Sequence, residues 1–228
     1  MSGIAAHEIG IVDYPGAQVA CILGLTDLFG VVSTIALDQR RSGQSPLRVT
    51  HWKPIHCGAA NLSCVYDSAP RGSPKPRTLI IPPTMVNLPD PDVPAGVVSW
   101  VRNRHAAGTT LVSLCSGAFI LAETGLVDGL SVATHQICAE ALAKRFPQIV
   151  VDTSRRIIDH GDIITAGGFL SWVCAVKRRR FPVGASPTRR PLQPEATGAG
   201  MEVTKCLKPS DSGSRNTVTA RVCRPQRE

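Results

Sequence analysis

Apolar residues in this chain fall into two kinds of cluster that take turns. Residues 9–14 are a short apolar run closed by Pro15-Gly16, which predicts a buried strand and a turn. Residues 17–37 then predict a helix, with Val19, Ile22, Leu23, Leu28 and Val31 among its apolar positions. Strands are predicted at 46–52 and 62–66, with a turn at 56–60 between them. The run 78–81, stopped by Pro82-Pro83, is another buried strand. A helix follows over 94–107: Pro94 suits its first turn and Gly108 its end. The run 109–114 is a further apolar strand, leading into Cys115-Ser116-Gly117 and a helix over 118–124 that Gly125 ends. Beyond it the pattern predicts a strand at 130–133, a helix at 136–145 and short strands at 149–152, 156–159 and 163–165. His160-Gly161-Asp162 is a hairpin turn between the last two, and Trp100 and Trp172 are packing residues.

Apolar strands alternating with helices imply a mostly parallel sheet covered on both faces, a doubly wound α/β domain. Ligands in such sheets bind beyond the carboxyl ends of the strands. The alternation stops after residue 176. Residues 177–228 are rich in Arg, Pro, Ser, Thr and Gly, and neither period survives, so this stretch is expected to be a disordered tail. The predicted organisation is one domain over 1–176 and a tail over 177–228 whose abrupt change of composition is of the kind an out-of-frame reading produces.

Charge follows the same division. Residues 1–176 hold 13 Lys+Arg and 13 Asp+Glu, whereas 177–228 hold 12 against 4, so the whole net charge of +8 lies in the tail. A polyanion-binding argument therefore does not apply to the body. Lys177–Arg180 and Arg189-Arg190 remain as a nucleic-acid reading, but no aromatic residues interleave them. No run of 18 uninterrupted apolar residues and no basic-then-apolar leader is visible, so a cytoplasmic chain with no membrane contact is expected. Eight scattered cysteines then read as free thiols. Cys57, Cys64, His51 and His56 form a weak metal constellation without C-x-x-C spacing, so no metal is expected.

The sharpest chemical feature is LVSLCSGAFILAETG over 111–125. A strand delivers Cys115 into a turn that opens a helix, which is the nucleophile-elbow arrangement in cysteine form. The helix start favours thiolate over thiol, and the Ser116 and Gly117 N–H groups are free to stabilise an oxyanion. Burial as a small apolar residue is the plainer account of the same cysteine. His135, just after the strand SVAT, is placed to serve as general base or to orient the thiolate if that strand ends beside Cys115. Pro83 lies at the tip of a strand near the pocket, and Gly167-Gly168 permits close approach of the chain beyond it.

Together IGIVD, GLTDLFG, TLIIPP, LVSLCSGAFILAETGLVDG, ATHQ and DHGDIITAGGFLSW resemble the DJ-1/PfpI family of the class I glutamine amidotransferase-like superfamily, and within it the N-terminal domain of AraC-type transcriptional regulators. The resemblance covers residues 7–175. It implies a flavodoxin-like sandwich with Cys115 at the elbow and His135 beside it. It also implies an acid early in the first helix that tunes the cysteine, and here Cys21 stands at that position, with Asp27 two turns on. Asp13, at the end of the first strand, is the other candidate carboxylate. The regulators of this group continue into a helix-turn-helix domain, and nothing after residue 176 has that pattern, so DNA binding is not expected of this chain. Two functions follow. One is a ligand- or redox-sensing domain with a small-molecule pocket and no cofactor, self-associating as a homodimer. The other is a cysteine-dependent hydrolase, amidase or isonitrile-hydratase-like enzyme.

Overall fold

The computed structural model describes residues 6–40, 46–55, 61–70 and 72–168. The turn expected at 56–60, Trp172, the helix start near 169–173 and the tail with its Arg runs lie outside the described residues.

Five strands form the parallel centre of the molecule: β1 (His7–Val12), β2 (Leu47–Pro54), β4 (Thr78–Ile81), β5 (Thr110–Leu114) and β9 (Ile163–Ala166). Two antiparallel strands flank them, β3 (Leu62–Asp67) on β2 and β8 (Ile157–Asp159) on β9. The seven-stranded order is β3-β2-β1-β4-β5-β9-β8. The chain leaves β1 toward β2, yet runs from β4 to β5 in the other direction, so the winding reverses at the β1/β4 pair. This is a flavodoxin-like, doubly wound topology, and the reversal opens a crevice at the carboxyl ends of the strands. Both faces are covered: Ile9, Ile11, Leu79, Ile81, Leu111 and Leu114 are all fully buried or within 1% of it. That is why these strands are apolar at successive positions and do not alternate.

Among the described residues four α-helices accompany the sheet: α1 (Val19–Arg40), α2 (Ala95–Ala106), α3 (Ala118–Glu123) and α4 (Gln136–Arg145). Pro94 sits at the start of α2, and Gly125, with φ 72°, ends the turn after α3 where a side chain would be strained. Trp100 of α2 is buried and meets Trp52 of β2 with ring centroids 5.1 Å apart. Gly161, φ 94°, makes the tight turn between β8 and β9.

Two expectations need correction. The strand at 130–133 does not join the central sheet beside β5. It forms a separate two-stranded parallel sheet, β6 (Ser131–Val132) with β7 (Val150–Val151), and β5 is instead flanked by β4 and β9. The other concerns α1. Its buried line is Cys21, Ile22, Leu25, Phe29 and Ala36, whereas Val19, Leu23 and Val31 are exposed. This helix is long and apolar enough to span a bilayer, but its buried line rests on the sheet.

Candidate functional site

The site is built around the end of β5. Leu114 is still extended, and the next residue, Cys115, turns into the left-handed region at φ 52°. A non-glycine side chain there costs on the order of 1–2 kcal/mol, so the surroundings must hold it. They do so from both sides. The hydroxyl of Thr134 donates to the Cys115 carbonyl at 2.9 Å. Ser116, buried, donates its hydroxyl to the Thr84 carbonyl at 2.8 Å and accepts from the Thr84 N–H at 2.9 Å. Residues 115–117 form one 3-10 turn, and α3 starts from it. Gly117 is required there because a Cβ would stand 2.7 Å from the Ile81 carbonyl oxygen and 2.9 Å from that of Pro82.

The segment after β4 acts as a collar on this turn. Tyr14 donates its hydroxyl to the Pro82 carbonyl at 2.7 Å, the Gln18 N–H donates to the Pro83 carbonyl at 2.7 Å, and Ala17 bridges to Thr84. Pro83 is buried and presents its carbonyl to the start of α1. The collar therefore connects β1, α1, β4 and the elbow through hydrogen bonds between segments distant in sequence.

Cys115 is 5% exposed. Burial pushes its thiol up from the ordinary value, and the N–H groups of Ser116 and His135, directed at Sγ, pull it partly back. No carboxylate figures among the groups acting on this thiol within the described residues. Cys21, at the position where the resemblance calls for an acid, is fully buried, and its thiol is pushed up to about 12 by burial and by the Cys115 charge. Cys138, on the first turn of α4, is pushed up to about 11 for the same two reasons. The buried Tyr14 phenol is likewise raised, by burial first and then by the charges of Cys21 and Cys115. Burial thus opposes negative charge on Cys115, and the two N–H groups offset part of that cost.

The other predicted residues are placed as follows. His135 is half-buried and caps α4: its Nδ1 accepts the Ile137 N–H at 3.2 Å, while its main-chain N–H faces Sγ. The ring and the sulfur are joined through the backbone of one residue. Asp13 lies at the end of β1 but turns toward β2, where its carboxylate meets Lys53 Nζ at 3.4 Å and its charge acts on His51. Asp27 is on the exposed side of α1. His51 contacts Thr26 Oγ1 at 2.8 Å and stacks on Tyr66, and Cys64 donates its thiol to the Tyr66 carbonyl. Cys57 and His56 lie outside the described residues.

Thr84 and Tyr14 were not singled out by sequence, although Thr84 bonds Ser116 and Tyr14 bonds the Pro82 carbonyl, and Thr134 was noted only beside His135, with no role of its own. For Thr134 a local signal existed, since it immediately precedes His135 after a strand. Its close fit is visible only in space: a Cβ on Gly167 would stand 2.5 Å from the Thr134 carbonyl oxygen. A groove of about 540 Å³ runs between Pro89-Asp90 and α4, lined by Ile137, Glu140 and Lys144 among others and by none of the elbow residues.

No protein-family model matches the chain. By sequence it is similar to the HTH-type transcriptional regulator CdhR of Pseudomonas aeruginosa, 34% identical over 79 residues, 35% of this chain and 24% of that protein. The match therefore spans about a quarter of that regulator. By structure it is similar to a transcriptional regulator protein from Vibrio parahaemolyticus, with a TM-score of 0.52 and 18% identity over 71% of this chain and 84% of the other. It is also similar to a ThiJ/PfpI family protein from Pseudomonas syringae, with a TM-score of 0.50 and 20% identity over 75% of this chain and 66% of the other. The chain has the flavodoxin-like fold of the DJ-1/PfpI proteins, and its sequence similarity is to HTH-type transcriptional regulators.

Proposed function

We propose that this chain is a cytoplasmic ligand-sensing domain of the kind found in AraC-type regulators, with its small-molecule pocket at the carboxyl end of β5. The observation that carries the reading is the electrical setting of Cys115. A working thiol nucleophile needs a lowered pKa or an adjacent base. Here burial raises the thiol, Cys21 occupies the position of the acid, and the His135 ring caps a helix. The similarity to CdhR favours the same direction. In this reading Cys115, Ser116, Gly117 and Pro83 shape the wall of the pocket.

The elbow itself supports a second reading, a cysteine-dependent hydrolase. Cys115 has the left-handed backbone of a nucleophile elbow, and two N–H groups face its sulfur. One experiment separates the two. The full chain and its Cys115→Ala variant are assayed for turnover of small amides, isonitriles and 2-oxoaldehydes, and both are screened with a small-metabolite panel by thermal shift. The sensing reading expects turnover at background for both proteins and at least one metabolite that raises Tm. Cys115-dependent turnover well above background overturns it in favour of the enzyme.

A further inference from the structure

A second polar cluster lies under α1, and the elbow does not use it. Ile11 of β1 stands opposite His51 of β2, so Asp13, two residues further on, shares a face with His51 and Lys53. The contact between His51 and Thr26 identifies that face as the one α1 covers. His51 is 8% exposed, and Tyr66 of β3 stacks on it with ring centroids 4.5 Å apart. Its hydrogen bonds fix the tautomer. Thr26 gives its one hydroxyl proton to the Ile22 carbonyl at 2.8 Å, so in the 2.8 Å contact with His51 the ring Nε2–H donates to Thr26 Oγ1. The neutral ring therefore carries its lone pair on Nδ1. Asp13 is the carboxylate whose charge acts on this ring, and Lys53 holds it at 3.4 Å.

We propose that His51 is a proton-operated switch beside the carboxyl end of β1: when Nδ1 takes a proton, the Asp13 carboxylate leaves Lys53 and pairs with the imidazolium. The proton comes from water, and the only covalent change is the new Nδ1–H bond. A buried charge needs a partner. Among the described residues the titratable and charged groups around the ring are Asp13 after β1, Lys53 on β2, Cys64 and Tyr66 on β3, and Asp27 on α1. Cys64 keeps its proton, which it donates to the Tyr66 carbonyl, and Asp27 lies on the exposed side of its helix, so Asp13 is the counter-ion. Lys53 holds that carboxylate weakly: the lysine side chain is 55% exposed, and an ion pair in water contributes little. The backbone stays in place, because the Asp13 N–H is fixed to the Trp52 carbonyl at 2.8 Å and only the side chain turns. Tyr14 comes next in the chain and bonds the Pro82 carbonyl, so the change is delivered beside the collar. Its direction follows from burial, which pushes the ring down from its ordinary 6.5. At neutral pH the ring is uncharged and Asp13 remains with Lys53. As pH falls below 6.5 the unfolded ring charges first, so acid both throws the switch and lowers stability. The assignment holds whichever chemistry Cys115 performs.

The test is histidine-ring NMR on the full chain from about pH 8 down to about pH 4. His51 is assigned by its loss in His51→Gln, whose side-chain amide can still donate to Thr26. The His51 midpoint is expected below that of free histidine in the parent, lower still in Asp13→Asn, and above the parent's in Lys53→Gln, which releases the carboxylate. The Tyr14 amide signal is expected to move with the same midpoint in the parent and to stay still over that range in His51→Gln. Equal His51 midpoints in the parent, Asp13→Asn and Lys53→Gln overturn the pairing. A Tyr14 signal that is motionless in the parent, or that moves as before in His51→Gln, overturns the switch. If circular dichroism shows His51→Gln unfolded, the ring is assigned by its nuclear Overhauser contact with Tyr66, and Asp13→Asn and Lys53→Gln decide.

Discussion

Replacing Gly117 by alanine adds one methyl group at the tightest point of the elbow. That carbon would stand 2.7 Å from the Ile81 carbonyl oxygen and 2.9 Å from the Pro82 carbonyl oxygen, both on the main chain. Neither oxygen belongs to a flexible side-chain end that can swing aside. Relief requires the strand end and the collar to move away from the turn, an overpacking cost of ~1–3 kcal/mol. The movement also strains the bond from Tyr14 to Pro82, now 2.7 Å, and leaving that buried hydroxyl unpaired costs a further ~1–3 kcal/mol. Because one displacement relieves both contacts, the two costs overlap, and a net loss of about 2–4 kcal/mol is expected. Urea denaturation of the parent and Gly117→Ala reads this directly as a lower midpoint at similar slope. Gly30→Ala is the control: nothing lies within 4 Å of its added carbon, and a helix-interior Gly→Ala change is expected to stabilise by up to ~1 kcal/mol. A Gly117→Ala protein within about 0.5 kcal/mol of the parent would refute the claim that the collar carbonyls fix the elbow.

Thr134→Val removes the hydroxyl that holds the Cys115 carbonyl, for an expected loss of ~1–3 kcal/mol in denaturant midpoint terms, whereas Thr134→Ser keeps the bond and most of the stability. Iodoacetamide labelling of Cys115 against pH, followed by mass spectrometry of its peptide, is expected to rise only above the ordinary thiol range, because burial disfavours the thiolate. A midpoint below that of free cysteine would contradict the sensing reading. Cys21 stays protonated in the folded chain up to about pH 12, while an unfolded thiol ionises near its ordinary 9.0. Its contribution is therefore intact below pH 9 and declines as pH rises toward 12, by up to ~1.4 kcal/mol per pH unit. Denaturation midpoints taken across that interval should fall less steeply in Cys21→Ala than in the parent.

Much of this protein follows from local chemistry that the sequence states openly. Pro15-Gly16, Pro82-Pro83, Gly108, Gly125 and Gly161 punctuate the chain, and the apolar runs between them are too short for helices or too continuous for exposed strands. The order of elements, the mostly parallel sheet and the strand-to-helix turn at Cys115 all follow from those nearest-neighbour rules. Tertiary structure decided the rest, because the deciding contacts join residues far apart in the chain. Since α1 carries apolar residues on its exposed side as well as its buried one, its sequence has little periodic signal for which line faces the sheet; packing selects Cys21, Leu25 and Phe29. The strand at 131–132 pairs outside the central sheet, yet the residues after it still reach Cys115, through a Thr134 hydroxyl 19 positions away and a His135 main-chain N–H. Ser116 and Thr84, 32 positions apart, close the other side. A residue's type names the chemistry it can perform, but the charge a thiol can bear is set by burial and by dipoles that only the folded chain brings to it.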